Sequence, residues 1–178
     1  MNKESKKLGQ YIFENHAFDG TPDNFLEETA PLIGYVVHHF NSLDEQLNSA
    51  ICALINDRTD EPGSIIIHKM NFSAKVDLLN NLVRSFEFAC EKSIPIFKTL
   101  TNNLKECATL RNAVIHAEWE NINEKGYTYV KMSFNNNGMH QHYWQFTPKS
   151  LEDVISFIHK TYMMFEKYHD QKQELLNR

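Results

Sequence analysis

Apolar residues recur every three or four positions in four stretches of this chain, and that period admits only amphipathic helices stacked stripe against stripe. The first stretch runs from Pro31 to Asn56-Asp57 and carries Val36, Phe40, Leu43, Leu47, Ala50, Ile51 and Leu54, a stripe long enough to form one wall of a bundle. The second opens near Ser73, with Phe72 just outside it, and buries Val76, Leu79, Val83, Phe86 and Cys90. Ser93-Ile94-Pro95 closes it and opens the third, because proline is tolerated in a first turn where its missing N–H is not needed. The third, Leu100 to Trp119, repeats Leu100, Leu104, Cys107, Ala108, Val114 and Ile115. The fourth has the clearest start: Thr147 as N-cap, Pro148 at the first helical position, and Phe146 set to staple onto Leu151. Its stripe continues through Val154, Ile155, Ile158, Tyr162 and Phe165, and a polar tail follows from Lys167.

Between the last two helices the period drops to two. Tyr127, Tyr129, Lys131 and Ser133 are expected on one face and Thr128, Val130, Met132 and Phe134 on the other. Asn135-Asn136-Asn137-Gly138 then turns the chain into Met139 to Phe146, a β-hairpin over about 127–146. DRTDEPGS reads as a loop, and IIIHKM after it as a short extended piece. Residues 1–31 carry a turn signal, Asp19-Gly20-Thr21-Pro22-Asp23, and a short apolar patch of Leu8, Tyr11, Ile12 and Phe13, which suits an N-terminal arm or short helix. The architecture expected is all-α: four to five helices in a bundle, with the hairpin inserted before the last.

A chain of 178 residues with 42% hydrophobic and 12% aromatic residues can bury a proper core as one globular domain. Cys52, Cys90 and Cys107 are odd in number, lack C-x-x-C spacing and sit on apolar stripes, so they read as small buried hydrophobes in a reducing compartment. MNKESKKLGQYIF lacks an apolar run of signal-peptide length and no segment approaches a membrane span, so a cytoplasmic protein without membrane contact is expected. The net charge of −5 is the wrong sign for a broad polyanion-binding surface. Any contact with RNA must be local, in a cleft where a few cations meet one phosphate.

The third helix is where such a site is expected, because Arg111, Asn112 and His116 interrupt its apolar pattern near the C-terminal end. Asn112 and His116 are four apart and stand on one face, where the amide can bond an imidazole nitrogen and fix the ring. Arg111 lies about 100° round the helix, yet its long stem can bring the guanidinium to the same edge. A purely structural arrangement is the alternative: Arg111 pairs with Glu118 two turns on, and His116 caps the helix C-terminus. Lys75 and Asp77 fall off the second helix's stripe, either solvated or with Lys75 bordering a cleft and neutralising phosphate. His38 and His39 sit side by side within the first helix and read as a partly exposed or core-edge pair in preference to metal ligands, whereas His140 and His142 have a spacing that permits metal chelation. No carboxylate or cysteine accompanies the strand pair locally, surface histidines are the plainer reading, and neither a metal nor a cofactor is expected.

Arg111-Asn112-x-x-x-His116 resembles the R-x(4–6)-H signature, with a polar residue directly after the arginine, of the HEPN superfamily. The order of helices looks like that family's core bundle, and KMNFSAKVDLLNNLV looks like the second-helix opening of one branch. The resemblance covers about residues 32–176 and makes 32–178 a HEPN-like helical domain. It implies a metal-independent endoribonuclease, of toxin or antiphage-effector type, that cuts RNA in a site shared across a homodimer of motif helices. Arg111, Asn112 and His116 would be catalytic, with Lys75 and Glu118 as substrate-binding candidates and an antitoxin or sensor protein as a further partner. Family members paired with nucleotidyltransferase antitoxins often carry a modified tyrosine two positions after the histidine; Glu118 stands there instead, which argues against that regulation. The competing expectation is a non-catalytic HEPN-like module that dimerises or binds a partner protein or nucleotide.

Overall fold

The computed structural model describes residues 1–7 and 24–177. Among them the elements run β1 (Lys3–Lys7), α1 (Phe25–Ile55), α2 (Glu61–Ile67), α3 (Phe72–Cys90), α4 (Phe97–His116), β2 (Tyr127–Asn135), β3 (Gly138–Gln145) and α5 (Pro148–Leu176). The fold is thus mostly helical with one small antiparallel sheet, and no helix among the described residues is long and apolar enough to cross a membrane. The chain divides into two compact units, Met1–Val37 with Leu110–Ile155, and His38–Thr109 with Ser156–Arg178.

The first unit holds the sheet, in strand order β1-β3-β2. The expected hairpin is present, and β1 adds a third strand along β3, Lys3 opposite Trp144 and Lys7 opposite His140. A strand therefore stands at the start of the region expected to be an arm or short helix, held there by backbone pairing that no local pattern announces. The turn signal and apolar patch between residues 8 and 23 lie outside the described residues. Val130 is an extra residue between the pairs Tyr129↔Tyr143 and Lys131↔His142. Such a bulge reverses the alternation. Lys131 and Ser133 consequently share a face with Thr128, His140, His142 and Trp144, not with Tyr127 and Tyr129 as the simple period of two predicts. Ser133 Oγ lies 2.7 Å from His142 Nε2 on that face, and Lys3 Nζ sits 3.9 Å above the Trp144 ring.

Aromatic rings fill this unit's core. Trp119 lies between Phe25, at 6.4 Å, and Phe146, at 4.9 Å, and Trp144 also faces Phe146. The Phe25 contact anchors the first turn of α1, which begins six residues before Pro31. Glu27 and Glu28 suit the positive end of the helix dipole, and Pro31 forgoes one hydrogen bond without ending the helix. At Gly126 the backbone has φ 82°, and a Cβ would strike the carbonyl of Phe146, whose own N–H bonds Gly126 O at 2.7 Å. The start of α5 is as expected: Ser150 N donates to Thr147 Oγ1 at 3.1 Å and Thr147 N donates to Ser150 Oγ at 2.9 Å, a reciprocal cap. Phe146 and Leu151 are both fully buried.

In the second unit the core is drawn from the predicted stripes: Leu43, Leu47, Ala50 and Ile51 from α1, Val76, Leu79 and Val83 from α3, Leu100, Leu104 and Cys107 from α4, and Ile158 and Phe165 from α5 are all buried. The stretch from Lys167 expected to be a polar tail is instead the last part of α5, and Tyr168 there is fully buried because its ring packs on Phe97 at 5.8 Å. Boundaries differ from expectation at three further helices, and α4 runs from Phe97 to His116, not from Leu100 to Trp119. The α3 cap is Asn71, whose Oδ1 accepts from Ala74 N at 2.9 Å, so Phe72 is inside the helix and packs on Phe40 at 4.6 Å. The isoleucine run expected to be extended is α2, because Asp60-Glu61-Pro62 supplies a helix start and only Ile67 is buried, while Ile65 and Ile66 are exposed. Gly63 lets α2 approach α1 closely, since a Cβ there would meet Cys52 Sγ at 2.6 Å.

Candidate functional site

Arg111, Asn112 and His116 lie together in the first unit, on the last turns of α4. Arg111 is half-buried, while Asn112 and His116 are exposed one turn apart. The long arginine stem does what its length allows: Nη1 donates to Asn112 Oδ1 at 3.0 Å. The amide oxygen is thereby turned to the guanidinium, and the expected Asn112–imidazole bond is replaced by an Arg111–Asn112 bond. His116 is the final helical residue and stands at the negative end of the α4 dipole.

That end of the helix is held firmly. Trp119 Nε1 donates to Val114 O at 2.9 Å, satisfying one of the terminal carbonyls. Glu118 N donates to Tyr129 O at 2.9 Å, and Thr128 Oγ1 donates to Glu118 O at 2.6 Å, so the backbone beyond His116 is laced to β2. The Glu118 side chain is exposed. Burial, then Tyr129, then the Glu118 carboxylate raise the pKa of the Tyr143 phenol. For the part Trp119 plays, the sequence carries one signal, an aromatic placed three residues past the motif histidine.

Lys75 belongs to the second unit and is not on a solvated face. Its Nζ donates to both Asp44 oxygens, at 2.9 and 2.8 Å, and its side chain is 10% exposed. Asp77, by contrast, is exposed and lies 3.6 Å from Lys105. Among the histidines, His38 and His39 are joined by His159, with rings 5.6 and 5.8 Å apart across the pairs His38–His39 and His39–His159. Burial, then His159, then His38 lower the His39 pKa. His140 and His142 share one sheet face as their spacing predicts, and burial, then Lys131, then His140 lower the pKa of His142. Among the described residues no group of three or more histidine, cysteine or carboxylate side chains is gathered as a metal site.

The second unit also contains a cleft of about 550 Å³ between α3 and the start of α4, edged by Arg84, Lys98 and Lys105. The sequence carried a signal for it that periodicity alone could have found. Asn80 and Arg84 are four apart, and Lys98, Asn102 and Lys105 repeat at four and three, polar stripes on two helices. Comparison of the chain with protein families, with curated proteins and with solved structures returns no match.

Proposed function

We propose that this chain is a metal-independent endoribonuclease of the HEPN type, acting as a homodimer with Arg111, Asn112 and His116 as its catalytic set and serving as a toxin or antiphage effector. What supports the reading is one piece of geometry: the Arg111–Asn112 bond of 3.0 Å holds the guanidinium beside an exposed amide, and the exposed His116 follows one turn on at the same end of α4. Cleavage of RNA without a metal needs a base for the ribose 2′-OH, an acid for the leaving 5′-oxygen, and positive charge on the five-coordinate phosphorane. Imidazole suits either proton transfer, typically for about 10² to 10⁴ in rate. A guanidinium stays charged throughout and offers paired donors to two phosphate oxygens. One protomer has one such imidazole, so a two-fold dimer that brings a second His116 to the same phosphodiester supplies both roles: one ring takes the 2′-OH proton as the 2′-oxygen attacks phosphorus, and the other protonates the departing 5′-oxygen. Asn112 orients the guanidinium.

The test is cleavage of bulk or transfer RNA in EDTA by wild type, Arg111→Ala and His116→Ala. Activity lost in both variants with the fold retained supports the proposal; cleavage unchanged by either substitution overturns it.

The acidic balance, net charge −5, favours a second reading, a non-catalytic module that dimerises or binds a partner protein or nucleotide. Under that reading Arg111→Ala and His116→Ala each lower stability by about 2 kcal/mol or more, and high expression of the wild type leaves cells unharmed.

A further inference from the structure

The cleft of the second unit is positive in a protein that is negative overall. Arg84 from α3 and Lys98 and Lys105 from α4 line it, against one lining carboxylate, Glu87. Glu87 is already committed: its Oε1 accepts from Ile94 N at 2.6 Å and closes the α3–α4 connection. Lys105 is held only loosely, 3.6 Å from Asp77 with both side chains more than half exposed, a pair that an arriving phosphate can displace. The chain as a whole has 23 acidic against 18 basic residues, so three cations around one concavity concentrate positive potential where the surface at large repels anions.

The size and spacing define the ligand further. Lys98 and Lys105 are seven residues apart on one helix, about 10 Å along its axis, which suits two separated phosphates better than a contiguous diphosphate. The volume of about 550 Å³ leaves room for a body between them. Asn80, Asn102 and Ser93 present amide and hydroxyl groups to that body. The one aromatic of the lining, Phe97, is 5% exposed and engaged with Tyr168 at 5.8 Å, so it offers no open ring face on which a base could stack. We infer that the cleft lined by Arg84, Lys98 and Lys105 binds a small sugar or polyol carrying two separated phosphates. The inference is independent of the nuclease proposal.

Fructose 1,6-bisphosphate is a suitable probe, measured by titration calorimetry and by thermal melts of the full chain. Saturating probe raises Tm by about 5 °C or more. Lys98→Ala and Lys105→Ala each weaken binding on the order of tenfold, and Arg84→Lys retains more affinity than Arg84→Ala. Lys160→Ala, an exposed lysine outside the cleft, and Arg111→Ala leave it unchanged. Circular dichroism confirms that each variant is folded. No binding heat and no Tm shift overturns the inference, as does equal binding by wild type and the folded Lys98→Ala and Lys105→Ala proteins. ADP or a single-stranded RNA oligonucleotide binding more tightly than the bisphosphate overturns the ligand class.

Discussion

Asp44→Ala should be among the most damaging single changes to a partly exposed residue in this protein. Lys75 has a 10% exposed side chain and gives its ammonium to both Asp44 oxygens at 2.8 and 2.9 Å. Removing one partner of a fully buried pair costs about 3–5 kcal/mol, chiefly because the other charge is stranded. Asp44 is 32% exposed, so water reaches part of the vacated space and the cost is reduced to about 2–3 kcal/mol. For a chain of this length that is a Tm decrease of about 5–10 °C. The reverse deletion is milder. Lys75→Met keeps the apolar stem and leaves a carboxylate that water can hydrate, for about 1 kcal/mol. The double variant Asp44→Ala/Lys75→Met leaves no stranded charge and should be more stable than Asp44→Ala alone, a coupling of about 1 kcal/mol or more. Urea titrations of the four proteins measure the cycle. Strict additivity, or an Asp44→Ala protein within about 1 °C of wild type, refutes the reasoning. The same samples separate two roles for Lys75: cleavage of RNA at the wild-type rate by folded Lys75→Met assigns this ammonium to the ion pair and not to substrate.

Gly126→Ala combines a left-handed backbone at φ 82° with a collision against Phe146 O, and a loss of about 1–3 kcal/mol is expected in thermal melts; a neutral effect would show that the turn has another conformation. Of the three thiols, Cys52 and Cys107 are buried, and burial pushes the Cys107 thiol up to about 11, so a thiol reagent should modify Cys90 rapidly in the folded protein and all three only in denaturant. Rapid modification of all three under native conditions contradicts that. Acidification should destabilise the fold. His39, His142 and His169 are held below their ordinary value of 6.5, burial being the largest cause in each. The unfolded chain then takes up protons first as pH falls, so stability present above 6.5 is lost progressively below it. Tm should be lower at about pH 5.5 than at about pH 7.5, and His169→Gln should flatten the difference; a Tm that rises on acidification reverses the sign.

Much of the fold was legible because its cause is local. The stripes of α1, α3, α4 and α5 follow from a period that burial enforces, and the α5 cap follows from side chains three residues apart. What sequence reading missed depends on distant partners. β1 exists because β3 offers it an edge, and α1 begins early because Phe25 finds Trp119. The Val130 bulge is invisible to a rule of alternation, as it is defined by the opposing strand. Of the candidate site the sequence placed three side chains at one end of α4, but Asn112 had two neighbours in reach, and sequence spacing favoured His116 where the structure pairs it with Arg111. Lys75 looked solvent-facing because its counterion is contributed by Asp44, 31 positions away.

Trp119 and Trp144 are the chain's two tryptophans, and both belong to the unit formed by Met1–Val37 and Leu110–Ile155. Indole emission therefore reports on that unit alone, whereas far-ultraviolet ellipticity is dominated by the longer helical runs of His38–Thr109 and Ser156–Arg178. The protein carries its own pair of optical probes, one for each half: superimposable denaturation curves mean that the halves melt as a single cooperative body, and displaced midpoints mean that each yields separately.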